Sequence, residues 1–597
     1  MISFDRASYA EHLAALADAS PTAPAWLTPG REPMSRSALV ARIDDARRRF
    51  DAWGIGRGDV VAWPVIDREG ASSLLAVVPA IATLSPLPAG MTPDAYARTY
   101  DRLRVKAVVL PRAVRHAAAE AASRAGVTII EATPAAANLA GSVDLALVQP
   151  TSTLERAAHV RDDVMYVSLT SGTTGRPKLV PHAWGAVALT AQALGVALDM
   201  REDDVSAHIT SLHLANGLRT AAMLALLNGG AVDVLPEADL DAFLAAVAIG
   251  DVTYTSSSFA MHRELLRRLD GARVASRGRL RFVRVASGRL ARDEMDRLEA
   301  TFGVPVVTGL SCTETGTIAQ QRLSSPRVRG SVGSPVACEL RVADEHGHAL
   351  PAGVVGEVQV RGPHVFAGYL DDPALTATAF VDGWFRLGDL GRLDERGELH
   401  LEGRLTDTIN RGGEKISPLE IDAVLERVPG VAEAAAFGIE HPALGEEVVA
   451  AVVRERGSAL DAAQVVAAAR AALGDRRSPR HVWFVDALPR TESGKLKRAD
   501  LPGLVPVNGH ARADEAAPTR TSTPLEIAVG ALWAATLRRD RVGIDDNFFM
   551  LGGDSLRGAK LLTQVNSAFG VDLAVPALFD DANTIAGMAR AIERARR

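Results

Sequence analysis

The stretch of residues 505–523 most constrains how this chain can fold. Its sequence, VPVNGHARADEAAPTRTST, has no hydrophobic periodicity and is rich in Ala, Pro, Thr and charged side chains, which is typical of a flexible tether. As a coil, about 19 residues span roughly 25 Å root-mean-square, and more when extended. The sequence therefore predicts a separate small domain after the tether, able to visit different faces of a larger body.

Length and composition agree with this division. The chain has 597 residues, which is too long for one hydrophobic core, and 47% of them are hydrophobic, which excludes a largely disordered chain. A net charge of −6 gives no basic field for binding nucleic acid. The two cysteines, Cys312 and Cys338, lack the spacing of a disulfide framework or a zinc site.

The N-terminal sequence is relevant to the cellular location of the protein. The start, MISFDRASYAEHL, lacks the basic and then apolar pattern of a secretory signal. The longest uncharged stretch, residues 71–93, is interrupted by Pro79, Pro86 and Pro88, so we expect a buried helix and loop there and not a membrane span. The sequence predicts a cytoplasmic protein without a membrane or nucleic-acid partner.

The pattern along the chain predicts an α/β fold class. In residues 59–408, apolar runs such as DVVAWPVI and AVDVLP alternate with Ala-rich helical segments. Short strands and turns between residues 353 and 400 indicate a β-rich subdomain. A small α+β subdomain and a short helical bundle follow. The expected boundaries are 1–405 for the large domain, 406–504 for the small subdomain, 505–523 for the linker and 524–597 for the bundle.

The segment LTSGTTGRPK, residues 169–178, follows the apolar strand VMYVS and is suited to holding an anion. Its glycines let successive N–H groups converge on phosphate oxygens, and its hydroxyls and lysine add donors and charge. It does not match the Walker pattern, and a solvated turn is the alternative. The predicted phosphate-binding residues are Thr170, Ser171, Gly172, Thr173, Thr174, Gly175 and Lys178.

Later motifs occur in a fixed order after this loop. They are SLHLANGL (211–218), VASGRL (285–290), SCTETG (311–316), GEVQVRG (356–362), WFRLGDLG (384–391), GRLTDTINRGGEKISPLEI (403–421) and LPRTESGKLKR (488–498). With the loop, they make residues 50–498 resemble the superfamily of acyl-CoA synthetases, peptide-synthetase adenylation domains and luciferases. This resemblance implies a carboxylic-acid-activating enzyme that uses ATP.

The resemblance implies roles around ATP. Glu314 would hold Mg²⁺ through a hard carboxylate oxygen, Thr313 would contact phosphate, Asp389 would accept the ribose hydroxyls, and Arg404 would contact ribose or phosphate. An exposed turn glutamate and a surface salt bridge are the alternatives. Further nucleotide contacts are expected from Gly288, Arg289, Leu310 and Ser311.

Three of those residues depart from the family pattern. Leu310 stands where an aromatic ring usually stacks on adenine, Ser311 where glycine is common, and Arg289 where the residue is usually small. We expect adenine contacts to be reshaped. Because no phosphate or metal group is lost, we expect ATP use to be retained.

By the same resemblance, Lys495 would be the adenylation catalyst, bridging the substrate carboxylate and the α-phosphate. The small subdomain would then turn about a hinge at Thr406, where the family more often has Asp or Lys; Asp407 is adjacent. Gly412 and Gly413 would line a passage for a pantetheine arm, and a simple glycine turn is the alternative for Gly412.

The last domain contains DNFFMLGGDSL, residues 546–556, which resembles the attachment sequence of acyl and peptidyl carrier proteins. Ser555 would carry 4′-phosphopantetheine, added by a phosphopantetheinyl transferase. After a Gly-Gly turn, Ser555 is expected at a helix N-cap, favourable for a phosphodiester. An ordinary N-cap serine is the alternative.

The acid pocket is predicted only in outline. Amino-acid-activating members have Asp where this chain has Leu214, which disfavours an α-amino acid. His213 would lie next to the carboxylate, or it is a packed core histidine. Few aromatic and many hydroxyl groups suggest a small polar acid, and Arg219 either meets a second carboxylate or is a surface charge. The other expected pocket residues are Asn216, Gly217, Ser257, Ser287 and Gly309.

These observations favour an enzyme that adenylates a carboxylic acid and loads it onto its own carrier domain, using ATP, Mg²⁺ and 4′-phosphopantetheine. Downstream synthase or tailoring enzymes would then recognise the carrier. One alternative is an acyl-CoA ligase that uses free CoA. Another is a non-catalytic carrier scaffold, against which the intact set of Lys178, Glu314, Asp389, Arg404 and Lys495 argues.

Overall fold

The structure, a computed structural model, describes residues 5–505 and 523–596 apart from 68, 113–115, 136–137, 156–157, 171–176, 275–277, 287, 289, 291, 442–443, 492–494, 538, 540–541, 545, 547, 549–550, 552–554, 575 and 580–581. Backbone proximity divides the chain into two compact units. The first comprises residues 1–401 with 492–495, and the second comprises residues 402–491 with 496–597.

The first unit contains a mainly parallel sheet of seven described strands. In the spatial order β7-β6-β5-β3-β4-β8-β9, only the edge strands β7 and β9 run antiparallel to their neighbours. These strands are β3 (Val60–Pro64), β4 (Thr83–Leu87), β5 (Ala107–Pro111), β6 (Thr128–Pro134), β7 (Val143–Gln149), β8 (Val164–Thr170) and β9 (Lys178–Ala183).

A second sheet of nine described strands has the order β16-β15-β14-β13-β12-β10-β11-β1-β2. Its centre, from β14 to β1, is parallel. The strands are β1 (Pro24–Leu27), β2 (Met34–Ser35), β10 (Val205–His208), β11 (Ala231–Val234), β12 (Tyr254–Ser258), β13 (Phe282–Ala286), β14 (Val306–Cys312), β15 (Gly316–Gln320) and β16 (Ser334–Pro335).

Helices cover both faces of these sheets. They are α1 (Arg6–Ala19), α2 (Arg36–Ala52), α3 (Leu74–Val77), α4 (Pro93–Arg102), α5 (Ala117–Ala125), α6 (Trp184–Ala197), a π-helix (Gly217–Met223), α7 (Leu224–Leu227), α8 (Leu240–Ile249), α9 (Phe259–Leu269) and α10 (Arg292–Phe302), with a 3₁₀ turn at Ser152–Glu155.

Strand β3 shows why the layers form. Its sequence VVAWP is buried throughout, as expected when a parallel sheet has both faces covered. Because successive side chains point to opposite faces, Val61 and Trp63 join one apolar cluster and Val60 and Ala62 join another. The predicted α/β class is confirmed.

The rest of the first unit is β-rich. A third sheet has the order β17-β18-β20-β19, with β21 paired to β20. Its strands are β17 (Glu339–Ala343), β18 (Gly356–Arg361), β19 (Phe380–Val381), β20 (Trp384–Leu393) and β21 (Leu399–Arg404), and α11 (Pro373–Ala379) precedes β19. Strand β21 ends in the second unit.

In the second unit, a small sheet has the order β23-β22-β25-β24, with β26 paired to β25. The elements are a 3₁₀ turn (Leu405–Asp407), β22 (Ile409–Arg411), β23 (Glu414–Ile416), α12 (Pro418–Leu425), β24 (Val431–His441), β25 (Gly445–Arg454), α13 (Ala462–Leu473), β26 (His481–Phe484) and a 3₁₀ segment (Arg498–Leu504).

The C-terminal region is helical, as predicted. Its helices are α14 (Pro524–Leu537), α15 (Ser555–Phe569), α16 (Pro576–Phe579) and α17 (Ile585–Ala595). Trp533 is fully buried in their common apolar core and donates to Met588 Sδ at 3.4 Å. Across the described part of the chain, no helix is long and apolar enough to cross a membrane.

Candidate active site

The turn between β14 and β15 carries Glu314 in a fixed orientation. Its carboxylate accepts a hydrogen bond of 2.8 Å from the Tyr369 hydroxyl, and its backbone carbonyl accepts one of 2.9 Å from the Phe366 amide. Burial and the Glu314 charge raise the pKa of the Tyr369 phenol, so the hydroxyl remains a donor at neutral pH. Glu314 is therefore half-buried and held from two sides, unlike an exposed turn residue.

The predicted phosphate loop is the connection of a β-hairpin. Thr170 at the end of β8 pairs with Lys178 at the start of β9, so the two residues frame the loop. The Lys178 ammonium lies 5.0 Å from the centre of the Tyr369 ring, within range of a cation–π interaction. Tyr369 therefore links Lys178 to Glu314. Five residues expected in the loop, Ser171 to Gly175, lie outside the described residues.

Asp389 in β20 and Glu314 both influence the same buried thiol, that of Cys312. Burial raises the pKa of the Cys312 thiol to about 12, and the charges of Glu314 and Asp389 act in the same direction. Because charge effects fall with distance, both carboxylates lie near this thiol. The fold thus brings together the motifs that contain Lys178, Glu314 and Asp389, and it keeps Cys312 protonated.

Tyr369 was not identified as a site residue from the sequence, where the only signal is its position near a conspicuous motif. It lies in VFAGYL, shortly after the GEVQVRG motif. An aromatic hydroxyl between two glycine-containing motifs offers few clues on its own. Its role becomes visible only when Glu314 and Lys178 are both placed against it.

Glu314 fits the magnesium role predicted for it. Among the described residues, no group of three or more His, Cys, Asp or Glu side chains is arranged to hold a metal ion. Mg²⁺ is often held by one or two carboxylates together with substrate phosphates and water. With one oxygen of Glu314 accepting from Tyr369, its other oxygen can serve such an ion beside nucleotide phosphates.

The predicted acid pocket lies at the carboxyl ends of three parallel strands. Ser257 in β12 is level with Val285 in β13, and Val285 is level with Thr308 in β14. Gly309 lies within β14, one residue after Thr308, and Gly288 lies two residues after the last residue of β13. The carboxyl ends of parallel strands are the usual place for ligands in α/β sheets. Two further predicted residues, Ser287 and Arg289, lie outside the described residues.

The SLHLANGL segment follows β10, the neighbour of β12 in the same parallel sheet. His213 is half-buried in a turn, so it is not a fully packed core histidine. Asn216 immediately precedes the π-helix that begins at Gly217, and its side-chain oxygen accepts from the Thr220 hydroxyl. Such π-helical turns occur often at functional sites.

A buried arginine, Arg284 in β13, explains one departure from the family pattern. It donates to Gln320 Oε1 at 2.9 Å and to Ser256 Oγ at 3.1 Å, and Ser311 Oγ lies 3.5 Å from its Nη2. Burial lowers the pKa of Arg284 to about 10, so it stays charged at neutral pH. Ser311 thus supplies an oxygen that glycine would lack. Leu310 beside it packs against apolar side chains.

Arg219 is not a surface charge, so that alternative is wrong. It lies in the π-helix, is only 6% exposed, and its Nε, Nη1 and Nη2 atoms are buried without a hydrogen-bond partner. Burial could not be predicted from the sequence because it depends on the packing of this helix against the nine-stranded sheet and against α3 and α6.

In the second unit, the segment around the predicted hinge is anchored by charge. Thr406 is exposed in the 3₁₀ turn that follows Arg404, and its hydroxyl donates to Asp407. Asp407 Oδ2 lies 3.5 Å from Nε of the buried Arg498, which also donates to Asp422 Oδ2 at 2.7 Å. An ion pair therefore joins Asp407, which lies beside the predicted hinge residue Thr406, to Arg498, three positions after Lys495.

Two other predicted features have a local structural basis. Gly412 and Gly413 form the turn between β22 and β23 with φ of +59° and +89°, so the hairpin alone requires residues that accept positive φ. A pantetheine passage there stays a prediction. Lys495 directly precedes Leu496, which forms an isolated β-bridge with Arg490; residues 492–494 of the TESGK motif lie outside the described residues.

In the helical region, α15 begins at Ser555. Its backbone therefore lies at a helix N-terminus, the end of a helix that favours negative charge. Ser555 is thus the first residue of the helix and not its N-cap as expected, and its modification stays a prediction.

Together, the hairpin loop, the carboxylate turn and the following mixed domain define an ATP-dependent adenylating enzyme, here joined to a helical carrier domain. The chain belongs to the AMP-binding enzyme family, whose model matches residues 13–370. The model for the AMP-binding enzyme C-terminal domain matches residues 420–495, and that for the phosphopantetheine attachment site matches residues 528–592. The predicted resemblance is confirmed.

Similar proteins support an AMP-forming acid–thiol ligase. The chain is 34% identical over 491 residues to a probable CoA ligase, CCL9, of Humulus lupulus, covering 79% of this chain and 92% of that one. It is 33% identical over 480 residues to an oxalate–CoA ligase of Arabidopsis thaliana, covering 79% and 93%. ATP-bound MatB of Rhodopseudomonas palustris matches with a TM-score of 0.73 and 30% identity, covering 82% and 98%.

Proposed function

We propose that this enzyme activates a small polar carboxylic acid as an acyl-adenylate and transfers the acyl group to a phosphopantetheine thiol on Ser555 of its own chain. The observation that carries the proposal is the presence, in one chain, of the adenylating domains and an attachment domain. The matched CoA ligases account for 79% of the chain, and the attachment model matches residues 528–592. The attachment domain therefore supplies an internal thiol acceptor.

The first step would take place where Lys178, Tyr369, Glu314 and Asp389 meet. A substrate carboxylate oxygen attacks the α-phosphorus of ATP, and the bond to pyrophosphate breaks. Mg²⁺ bound through Glu314 would supply positive charge to the phosphates. Thr170, Thr313 and Lys178 would hold phosphate oxygens, Asp389 would hold the ribose, and Lys495 would bring a mobile cation to the reacting groups.

In the second step, the thiolate of the arm attacks the acyl carbonyl, and AMP leaves as the thioester forms. Movement about Thr406 would exchange the Lys495 loop for the face that carries Gly412 and Gly413. A phosphopantetheinyl transferase is needed beforehand to modify Ser555. The loaded carrier would serve downstream synthase or tailoring enzymes of a nonribosomal peptide or polyketide type of biosynthesis.

Two observations support a small polar acid. The predicted pocket has buried hydroxyl groups, including Ser256 and Ser257, which suit polar ligand atoms. A relative that shares 33% identity is named an oxalate–CoA ligase, and oxalate is a small polar acid. Leu214, in place of the ammonium-binding Asp, supports an acid without an α-amino group.

The test is intact-protein mass spectrometry of the phosphopantetheinylated full chain with ATP, Mg²⁺ and a pool of small acids. A mass gain on the arm that is lost in Ser555→Ala and Lys495→Ala supports the proposal and identifies the acid. Lys497→Ala is a matched control because Lys497 is an exposed lysine two positions away. A chain that forms no arm-bound product and releases no pyrophosphate with any acid contradicts it.

A second candidate function is an acyl-CoA ligase that uses free CoA, because the matched relatives carry CoA-ligase names. It predicts acyl-CoA formation at an undiminished rate in Ser555→Ala. Self-loading predicts instead that free CoA competes poorly with the attached arm. The non-catalytic scaffold predicts no pyrophosphate release at all.

A further inference from the structure

The interior of the first unit contains a guanidinium for which the described residues provide no hydrogen bond. All three guanidinium nitrogens of Arg219 are buried and lack a hydrogen-bond partner. Moving a charged group out of water is strongly unfavourable unless other groups compensate it. Since the side chain is only 6% exposed, solvent does not provide that compensation. A bound anion would.

We define a donor cluster as Arg219 together with Tyr166, His182 and His364, three groups near enough for the Arg219 charge to influence their pKa values. Each is buried, and the cluster has unpartnered polar atoms at Tyr166 Oη, His182 Nε2 and both ring nitrogens of His364. The rings of Tyr166 and His182 stack with centroids 4.0 Å apart. Such a concentration of unsatisfied polar groups is unusual in a folded protein.

The cluster is suited to an anion because its members are donors. Burial, and then the Arg219 charge, lower the pKa of both histidines, to about 4 for His364. At neutral pH each imidazole is therefore uncharged and has one N–H to donate. The Tyr166 phenol also stays protonated because burial raises its pKa. The only full charge in the cluster is that of the guanidinium.

The donor cluster is built from elements that also form the nucleotide site. Tyr166 and His182 are cross-strand partners in the β8–β9 hairpin that carries Thr170 and Lys178. Arg219 lies so close to Gly316 that a Cβ added there would be 2.3 Å from Nη1. Gly316 is two positions after Glu314, so any larger residue would displace the guanidinium.

We propose that the donor cluster binds a second anionic group of the acid substrate, so that this enzyme activates small dianionic acids, either dicarboxylic acids or sulfonated carboxylic acids. One carboxylate would be adenylated while the guanidinium fork of Arg219 holds the other anion through paired N–H groups. The inference rests on the proposed function, because it names the substrate class of that same enzyme.

The experiment uses the phosphopantetheinylated full chain and matched pairs of acids. The dianions are oxalate, malonate, succinate and sulfoacetate. Their partners, with one anionic group neutralised, are oxamate, malonamate, succinamate and methylsulfonylacetate. At least one dianion should show a kcat/KM for pyrophosphate release roughly 10- to 100-fold above its partner, as expected for one charge-assisted, paired contact.

Substitution then assigns the preference to Arg219. Arg219→Gln should raise the KM for the preferred dianion roughly 10- to 100-fold, leave the KM for ATP unchanged, and remove the advantage over the partner acid. Arg219→Lys, which keeps the charge, should retain part of that advantage. Arg201→Gln is the control, because Arg201 is an exposed arginine of the same unit.

The outcomes separate the two proposals. If neutralised acids are activated and Arg219→Gln leaves their KM and that of the dianions unchanged, the proposed function stands and the subsite does not. A raised KM for ATP would assign the cluster to a nucleotide phosphate and overturn the inference. If no acid causes pyrophosphate release, the proposed function fails. Thermal shift measurements with malonate and sulfoacetate then test anion binding by the donor cluster alone. A rise in Tm that is lost in Arg219→Gln supports the subsite, and no rise overturns it.

Discussion

Two buried arginines of the first unit, Arg219 and Arg284, differ in one decisive respect. Arg284 is fully buried, yet its nitrogens donate to Gln320 and Ser256 and approach Ser311. Arg219 is nearly as buried, and its guanidinium makes no hydrogen bond with any described residue. Neutral oxygens that the fold itself supplies stabilise the first guanidinium. The second guanidinium has no such oxygens among the described residues, which is why we propose a ligand anion as its partner.

Substitution of Lys495 sharpens this comparison by separating chemistry from acid recognition. Lys495→Ala should lower the rate of adenylation about 10³-fold, equivalent to about 4 kcal/mol of lost transition-state stabilisation. The loss of rate should be similar for every acid, because a cation at the reacting carboxylate and phosphate does not contact the rest of the substrate. Pyrophosphate release measures it, and a loss confined to dianions would contradict the assignment.

Arg284→Met tests the satisfied arginine. It leaves the Gln320 and Ser256 oxygens buried without their donor, so we expect the free energy of unfolding to fall by about 2–4 kcal/mol. Urea denaturation monitored by circular dichroism measures the change. An unchanged midpoint would mean that Arg284 is not a structural residue.

Arg219→Met tests the unsatisfied arginine, and the expected sign is opposite. Because the substitution removes an uncompensated buried charge and leaves no group newly unpaired, we expect the free energy of unfolding to rise by about 1–3 kcal/mol in the absence of ligand. The same denaturation experiment compares the two variants side by side. Equal destabilisation in both would remove the contrast between them.

Tyr369→Phe is the mildest change. It removes one hydrogen bond to the Glu314 carboxylate and keeps the ring near Lys178, so we expect kcat to fall about 3- to 10-fold, or about 1 kcal/mol. The apparent KM for Mg²⁺ should rise in parallel, whereas the preference between dianion and neutralised acid should not change. Steady-state rates across a Mg²⁺ titration provide the measurement. A change in acid preference would place Tyr369 in the acid pocket.

The sequence predicted features that depend on local pattern. The apolar run DVVAWPVI predicted a strand, and β3 occupies Val60–Pro64. The order of motifs predicted the family, which the matched models confirm. That Lys178, Glu314 and Asp389 act together stays a prediction, although Tyr369 contacts both Lys178 and Glu314.

Features that depend on packing were not predictable. The sequence does not distinguish a buried arginine from an exposed one. The different surroundings of Arg219 and Arg284 become clear only from the positions of the π-helix and β13 in the structure. Tyr369 was missed for the same reason, since its partner Glu314 is 55 positions away. The two glycines of the β22–β23 turn were ambiguous because a positive φ and a close approach both favour glycine.

The most direct test of the central claim is the dependence of loading rate on protein concentration, followed by intact-protein mass spectrometry. Self-loading predicts a first-order rate that is the same across micromolar concentrations, because a tether gives the arm a roughly millimolar effective concentration. A mixture of Lys495→Ala, which has the arm, and Ser555→Ala, which has the catalyst, should load much more slowly and in proportion to concentration. If wild type loads no faster than this mixture, or makes only acyl-CoA from free CoA, the account is contradicted.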